Sequence, residues 1–314
     1  MDFNESIIKP NATSAELDKL VKTGSKEVKK KIALHPNTSP KTLVELFPNY
    51  PEQVLNNPAL DLILLENPDF LEQLCKSYDY ICSLAKLPTF FIRWAVNHAQ
   101  QSIRLLIADN HYIPIDDLQK LAHDVNYEVR VSVASNVCIS NRNFEWLYGE
   151  SATDRRVNLY PDAALKIICQ LAQDKHFNVR YVVANSTGTP GHIIEQLSFD
   201  PHPDVRNAVA RNSKASEEVL RRLVQDKDRT VVEAIARNPN IPRDLMEICA
   251  TCKNKGIRYF VAGNPNATKS ILTKLASDVD TMVRQNVANN SNTPPEIIEQ
   301  LAREEIVKFG DILF

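Results

Sequence analysis

The chain has 314 residues with 43% hydrophobic side chains, which is enough for a buried core, and a formal net charge of −2 at pH 7. So small a net charge excludes a general attraction to nucleic acid or to anionic membranes, although a local basic patch is compatible with it. Only 7 Gly but 18 Pro residues are present. This combination argues against a Gly-rich phosphate-binding loop and is typical of many short helices with sharp ends.

Targeting and membrane signals are missing from the sequence. The first residues, MDFNESIIKPNATSAEL, do not have the basic start and apolar stretch of a secretory signal peptide. The sequence contains no run of 18 apolar residues, which a membrane-spanning helix would need. The 6 Cys residues are scattered, mostly among apolar residues, which favours reduced thiols. We therefore expect a cytoplasmic protein without a membrane partner.

Residues 1–50 contain the first copies of a repeated pattern. The phrase VKKKIALHPNTSPKTLVEL begins at Val28, and SIIKPNATSAELDKL, from Ser6, fits the second half of the same pattern one period earlier. The basic run KEVKKK at 26–31 is interpreted as a solvated helix face, and a nucleic-acid signal is the weaker alternative.

Residues 51–100 fit the pattern poorly. LNNPAL and LENPDF keep its Asn-Pro pairs, but the spacing slips by a few residues. Aromatic residues concentrate in the later part, and we interpret them as filling the gap left by irregular stacking, with a pocket lined by them as the alternative. They are Tyr78, Tyr80, Phe90, Phe91 and Trp94. An enzyme that uses this region is a further hypothesis, but no acid–base pair supports it.

Residues 103–302 repeat with a period of 26. Copies begin at Ile103, Val129, Val179, Val205, Val231, Ile257 and Val283, and a degenerate copy that ends at Asp174 precedes Val179. About twelve repeats would fill the chain and leave a short tail or cap at 303–314. The sequence thus predicts a single helical-repeat solenoid over 1–314.

Each copy predicts two short helices. The first has apolar residues at helical spacing, as at Val205 and Val209, and it ends at an Asn such as Asn212. Asn tolerates the left-handed backbone conformation that closes many helices. The second helix begins at Ser, Thr or Pro and has its own apolar face. The start residues are Ser216, Pro242, Thr268 and Pro294. Because each helix has only two or three turns, stacking on neighbouring repeats must supply the stability.

An Arg recurs after the first apolar residue of most copies, and an Asp recurs six residues before it. A row of Arg side chains could bind phosphates. Since the Asp repeats with the same period, we prefer a structural ladder in which Asp and Arg bridge successive repeats. Its members are Asp124 and Arg130, Asp174 and Arg180, Asp200 and Arg206, and Asp278 and Arg284, with Arg104 and Arg258 in the same row. The ladder is predicted to break near Val232, which follows Asp226, and near Cys252.

The phrase Val-Arg-x-x-Val-Ala-x-Asn-Pro-x-x-Pro, followed by Leu-x-x-Leu-Ala-x-Asp, resembles the leucine-rich repeat variant family, and the Asp-to-Arg spacing is similar to that of HEAT repeats. The resemblance implies an all-α, right-handed superhelical solenoid of paired short helices, and it allows one helix of each pair to be a 3₁₀ helix. The period of 26 residues departs from the roughly 24 of the usual variant repeat. Some members carry an N-terminal Cys-rich iron–sulfur segment, but the first Cys here is Cys75, so no cluster is implied.

No catalytic, cofactor-binding or metal-binding residue is predicted. Cys249 and Cys252 have metal-like spacing, but a zinc or iron–sulfur site needs about four soft ligands, and no second pair follows. Cys249 also occupies the position that Leu223 and Leu275 hold in neighbouring copies, so core packing is the preferred interpretation. The 7 His residues fall at different positions of the repeat and form no metal-ligand or catalytic motif.

Function is expected at positions that the pattern leaves free. The third and seventh residues of each copy, counted from its first apolar residue, lie on the first helix and should point away from the neighbouring helix. Their Tyr, Arg and amide side chains suit recognition of a protein or peptide. This candidate interaction surface consists of Tyr181, Asn207, Arg211, Glu233, Arg237, Tyr259, Gln285 and Asn289. We therefore expect a non-enzymatic scaffold that binds a protein or peptide.

The alternative partner is a nucleic-acid backbone, bound by a basic strip within 205–243. The basic residues of the strip are Arg206, Arg211, Lys214, Arg221, Arg222, Lys227, Arg229, Arg237 and Arg243.

Overall fold

The computed structural model describes residues 8–138 and 161–310, and these residues fall into two compact units. Unit 1 comprises 8–136 with 161–163, and unit 2 comprises 137–138 with 164–310. Within the described ranges every regular element is a helix and no strand occurs. The prediction of an all-helical repeat protein is therefore confirmed.

The described residues from 8 to 138 form short helices joined by short turns. These helices are α1 (Ser14–Thr23), α2 (Lys26–Ala33), α3 (Pro40–Leu46), α4 (Pro51–Leu55), α5 (Leu60–Glu66), α6 (Phe70–Ser77), a 3₁₀ helix (Asp79–Ser83), α7 (Thr89–Val96), α8 (Gln101–Ala108), α9 (Ile115–Leu121) and α10 (Tyr127–Cys138).

The described residues from 161 to 310 alternate regularly between two kinds of helix. After α11 (Pro161–Leu171), the first helices of the repeats are α12 (Phe177–Asn185), α14 (Pro203–Arg211), α16 (Arg229–Arg237), α18 (Lys255–Gly263) and α20 (Thr281–Asn289). The second helices are α13 (Gly191–Leu197), α15 (Glu217–Leu223), α17 (Arg243–Ala250), α19 (Lys269–Leu275) and α21 (Pro295–Gly310). Both helices of each pair are α-helices, so the 3₁₀ helix that the family resemblance allowed does not occur in these repeats.

The core of unit 2 lies between the two layers of helices. Val205 and Val209 of α14 are fully buried, as are Leu220 of α15 and Cys249 of α17. The first helices of successive repeats pack closely against one another, whereas the second helices have few mutual contacts. The layer of first helices is therefore the more tightly packed side of unit 2.

The helix starts follow the predicted signals. The hydroxyl groups of Ser216 and Thr268 accept hydrogen bonds from the backbone amides of Val219 and Ile271, three residues later, as N-cap residues do. Pro242 occupies the N-cap position of α17. Short side-chain caps of this kind satisfy amide groups that a helix of two turns would otherwise leave without partners.

The predicted left-handed ending of the first helices is wrong. Asn212 has φ −71° and ψ 129°, and Asn238 has φ −65° and ψ 128°, which is extended backbone. The turn after each first helix therefore does not need a residue that tolerates positive φ. The Asn therefore recurs for another reason, which is the set of hydrogen bonds that its side chain makes.

The described helices are short compared with the thickness of a lipid bilayer. None of them has both the length and the apolar character needed to cross a membrane.

Candidate binding surface on the first helices

An asparagine ladder joins each first helix to the one before it. The side-chain amide of Asn238 donates to the carbonyl oxygens of Ala210 (2.7 Å) and Asn212 (3.0 Å), 28 and 26 residues earlier, and its Oδ1 accepts from the amide of Asn240 (2.7 Å). Asn238 has no exposed surface. The same contacts to the preceding repeat are made by Asn136, Asn212, Asn264 and Asn290. Because these amides are buried and fully engaged, they are structural and are not available to a partner.

Other polar residues take the place of Asn in less regular copies. His35 Nε2 lies 3.1 Å from the carbonyl oxygen of Lys9, 26 residues earlier, and its Nδ1 accepts from the amide of Asn37. Asn57 then donates to the carbonyl oxygens of Ala33 and His35, only 24 and 22 residues earlier. The ladder thus continues into residues 51–100 with about four residues fewer between rungs.

The predicted Asp–Arg ladder exists, but its pairing differs from the prediction. Arg206 binds Asp226 with two hydrogen bonds, from Nε (2.6 Å) and Nη2 (2.9 Å), and Asp226 lies 20 residues after it. The Asp six residues before Arg206, Asp200, offers only its backbone carbonyl, which accepts from Nη1 at 2.8 Å. The same two-point ion pair joins Arg104 to Asp124, Arg180 to Asp200 and Arg258 to Asp278.

The other predicted six-residue pairs are joined through the backbone carbonyl of the Asp. Arg130 donates to the carbonyl oxygen of Asp124, Arg180 to that of Asp174, and Arg284 to that of Asp278. Asp124, Asp200 and Asp278 therefore each bridge two repeats, because the carboxylate binds the preceding Arg and the carbonyl binds the following one. Sequence spacing alone suggested the six-residue partner because the 20-residue partner lies in a different copy.

The ion pairs lower the pKa of the carboxyl groups involved. The hydrogen bonds from Arg206 hold the pKa of Asp226 below its ordinary value of 3.8, and those from Arg258 do the same for Asp278. Both carboxylates stay ionised at neutral pH and neutralise their Arg partners. The charges of Arg206 and Arg258 are therefore compensated within the protein.

The predicted break in the ladder is one missing pair. Val232 and Cys252 are 20 residues apart and occupy the positions that an Arg and its Asp hold in the neighbouring rungs, such as Arg206 and Asp226. The prediction that Asp226 loses its partner at Val232 is wrong, because that partner is Arg206. The carbonyl oxygen of Cys252 still accepts from Arg258 at 2.8 Å, so the backbone contact survives where the ion pair does not.

Four of the nine cations of the basic strip within 205–243 are paired with acids. Arg221 binds Glu217 and Asp244, Arg229 binds Glu233, and Arg243 binds Glu247. Arg222 lies over the ring of Phe199, 3.8 Å from its centroid. With Arg206 also paired, the cations of the strip that show no acidic partner within the described residues are Arg211, Lys214, Arg222, Lys227 and Arg237.

The eight residues of the candidate interaction surface all lie on the first helices, but not all of them point away from the neighbouring helix as predicted. Asn207 donates to the carbonyl oxygen of Thr230 in the next repeat (2.7 Å). Glu233 accepts from Asn254 (3.2 Å), and Arg237 lies over the ring of Phe260, 3.6 Å from its centroid. These three side chains connect repeats. Tyr181 and Tyr259 are half-buried, and the exposed members are Arg211, Arg237, Gln285 and Asn289.

A groove of about 320 Å³ lies across α12, α14 and α16 and includes part of this surface. Its lining consists of Phe177, Asn178, Tyr181, Asp204, Asn207 and Thr230. The sequence prediction found Tyr181 and Asn207 but missed the other four. Asn178, Asp204 and Thr230 all immediately precede the first apolar residue of a copy, and Asn178 and Asp204 lie three residues before Tyr181 and Asn207. Asn178 and Asp204 could have been predicted, because residues i and i+3 are neighbours on the surface of a helix.

Several polar groups in the groove have no partner within the described structure. The side-chain amide of Asn178, the hydroxyl of Tyr181 and the Oδ1 of Asn207 make no hydrogen bond with described residues. The wall next to them is aromatic, and the ring of Phe177 stacks on that of His202 at 3.7 Å with an interplanar angle of 9°. The groove therefore combines aromatic surface with unused donors and acceptors, which is the composition of a binding site for a polar chain.

The aromatic residues of 78–94 differ in burial: Phe91 is buried, Tyr78 and Trp94 are half-buried, and Tyr80 and Phe90 are exposed. Tyr78 and Tyr80 pack on Phe47, and their hydroxyls donate to the carbonyl oxygens of Val44 and Pro48, both at 3.3 Å. Phe91 is fully buried, and the ring of Trp94 lies 5.3 Å from it. The hydroxyl groups of Tyr78 and Tyr80 thus both have hydrogen-bond partners within the protein.

The cysteine and histidine candidates have structural surroundings. Burial raises the pKa of the Cys249 thiol to about 12, so the group is protonated and part of the core. His176 and His202 accept hydrogen bonds at the starts of α12 and α14, in the position that Asp228 and Asp280 occupy later. Among the described residues, no three His, Cys, Asp or Glu side chains are grouped as a metal site would require.

No protein-family model matches the chain, and no curated protein matches its sequence. Among solved structures, 17 chains match. One is the crystal structure of an engineered protein from the Northeast Structural Genomics Consortium, at 14% identity with a TM-score of 0.34, covering 88% of this chain and 90% of that one.

Proposed function

We propose that the protein is a non-enzymatic scaffold that binds a peptide or an extended protein segment on the first helices of unit 2. The observation that carries this proposal is the groove across α12, α14 and α16, where Asn178, Tyr181 and Asn207 present unused hydrogen-bonding groups beside the Phe177 ring. Amide and phenol side chains match the donors and acceptors of a peptide backbone, and an aromatic side chain provides contact area at a small entropic cost.

The distribution of charge favours a peptide over a nucleic acid as the partner. Binding to a phosphate backbone depends on several unpaired cations along one path. Here four of the nine cations of the strip, Arg206, Arg221, Arg229 and Arg243, are paired with acids, and the groove itself contains the carboxylate of Asp204. A groove with an acidic side chain suits a partner that is not uniformly negative.

Family and location are parts of the same proposal. The repeated phrase Val-Arg-x-x-Val-Ala-x-Asn supports membership of the leucine-rich repeat variant family, and a right-handed superhelix would follow from that membership. The scattered Cys residues, all with free thiols, support a cytoplasmic location.

Selection from an unbiased peptide library tests the proposal. The full-length protein is used to select binders from a random dodecapeptide phage library, and the affinity of the selected peptides is measured by calorimetry. We expect the double variant Asn178→Ala, Tyr181→Ala to weaken binding by about tenfold or more, as loss of a central contact does. The matched control is the double variant Glu247→Ala, Ile248→Ala on α17, both exposed in the second layer, which should leave affinity within about twofold.

Two outcomes would contradict the proposal. Failure to select any binder would remove the surface from consideration as a peptide site. Selected peptides whose affinity falls with the α17 variant, but not with the groove variant, would place binding on the other layer. Salt-dependent binding of single-stranded or duplex nucleic acid by the full chain at about 50 mM salt would favour the alternative partner.

A further inference from the structure

Two Arg side chains stand at the C-terminal ends of neighbouring first helices without an acidic partner. Arg211 ends α14 and Arg237 ends α16, and both occupy the seventh position of their copies. Both are exposed, and neither forms an ion pair within the described part of the chain. Glu233, four residues before Arg237 on the same helix, is bound instead by Arg229 at 2.7 Å and Asn254 at 3.2 Å.

The position of Arg237 is fixed without neutralising it. Its guanidinium lies over the ring of Phe260, 3.6 Å from the centroid. Stacking on an aromatic ring orients the guanidinium and leaves its N–H groups free to donate at the edge. Arg211 stands at the same point of the previous repeat, at the negative end of its helix dipole, where a cation is favoured. The two side chains therefore present free donors in the same row.

Charge across α14 is polarised. Asp204, which lines the groove, precedes Arg211 by seven residues, or about 10 Å along the helix axis. An acidic group of a partner is therefore repelled from the groove at the N-terminal half of the first helices and attracted to the Arg pair at the C-terminal half. This polarity fixes which edge of the surface an acidic partner would approach.

We propose that this surface selects peptides with two carboxylates on one face, bound by Arg211 and Arg237, which is a refinement that rests on the proposed function. The helices α14 and α16 pack directly against each other, and the axes of packed helices lie about 8–10 Å apart. In an extended polyproline II segment, residues i and i+3 lie on the same face about 9 Å apart. The recognised pattern is therefore an acidic residue, two arbitrary residues, and a second acidic residue.

Library selection with charge-reversed protein tests this inference. We select dodecapeptides on the wild-type chain and on the double variant Arg211→Glu, Arg237→Glu. The wild type should enrich pairs of Asp or Glu at i and i+3, and replacing both by Gln in a selected peptide should weaken binding by about tenfold, the effect of two partly exposed ion pairs. The double variant should enrich Lys or Arg at the same spacing. The matched control, Arg243→Glu with Lys269→Glu on the exposed second helices, makes the same change in net charge and should keep the acidic preference.

The possible failures are distinguishable. Peptides that depend on Asn178 and Tyr181 but show no acidic pair, or keep their preference on the charge-reversed protein, would overturn this inference and leave the proposed function standing. A preference that changes equally in the α17–α19 control would show that net charge, and not the Arg pair, selects the peptide, and would also overturn it. Selection of no peptide at all would overturn both proposals.

Discussion

The side chain of Asn238 satisfies three backbone groups at once: two buried carbonyl groups of the preceding repeat and the amide of Asn240 in its own turn. An unsatisfied buried polar group costs more than the net worth of a hydrogen bond, because it has lost water without gaining a partner. This position therefore requires a short polar side chain, as a core position requires an apolar one. His35 can occupy an equivalent position because its two ring nitrogens reproduce the donor and the acceptor.

Replacing Asn238 by Ala tests this role. We expect Asn238→Ala to lower the free energy of unfolding by about 2–4 kcal/mol, because it leaves the carbonyl groups of Ala210 and Asn212 without donors. The measurement is equilibrium unfolding in urea, followed by circular dichroism. The matched control is Asn240→Ala, which removes one exposed hydrogen bond to Ser213 and should cost less than about 1 kcal/mol. Equal effects of the two substitutions would contradict the ladder.

At the scale of helices, the Arg–Asp pairs connect successive repeats, whose short helices would not be stable alone. In each complete rung the guanidinium binds a carboxylate 20 residues later and a carbonyl six residues earlier, as at Arg206. The side chains are mostly buried, with 11% and 8% exposure for Arg206 and Asp226. Removing one partner of such a pair leaves a desolvated charge, so Arg and Asp must be lost together. The joint replacement at Val232 and Cys252 agrees with this constraint.

Restoring the missing rung tests the pairing. We expect Val232→Arg and Cys252→Asp each to destabilise the protein when introduced alone, because each places a partly buried charge without a partner. In the double variant the two should form the pair seen at Arg206 and Asp226, so the cycle should show a favourable coupling of about 1–3 kcal/mol in urea unfolding. Additive effects of the two substitutions, within about 0.5 kcal/mol, would show that the positions are not partners.

At the scale of the whole molecule, the fold was predictable because its signal repeats. A period of 26 residues, with apolar residues at helical spacing and Ser or Thr at helix starts, was sufficient to predict two helices per copy. The contacts between copies were less predictable. The partners of Asn238 lie 26 and 28 residues away, and that of Arg206 lies 20 residues away, so local spacing suggested a left-handed turn and a six-residue pair instead.

The candidate site was predictable only in part. Tyr181 and Asn207 were found because the pattern leaves their positions free, but whether a free position is exposed depends on the next repeat. Glu233 accepts a hydrogen bond from Asn254, and Arg237 lies over the ring of Phe260. The residues at these two partner positions vary between copies and therefore give no periodic signal. The groove arises where these local choices leave Asn178 and Tyr181 uncovered, which only the three-dimensional arrangement shows.

Photo-cross-linking tests most directly whether the first helices of unit 2 form the binding surface. A selected dodecapeptide with a benzophenone side chain at its centre is irradiated with the full-length protein, and the cross-linked residues are identified by mass spectrometry. We predict that cross-links fall on α12, α14 and α16, around Tyr181 and Asn207, and are lost in the Asn178→Ala, Tyr181→Ala variant. Cross-links on α13, α15 or α17, or cross-links unchanged in that variant, would contradict the account.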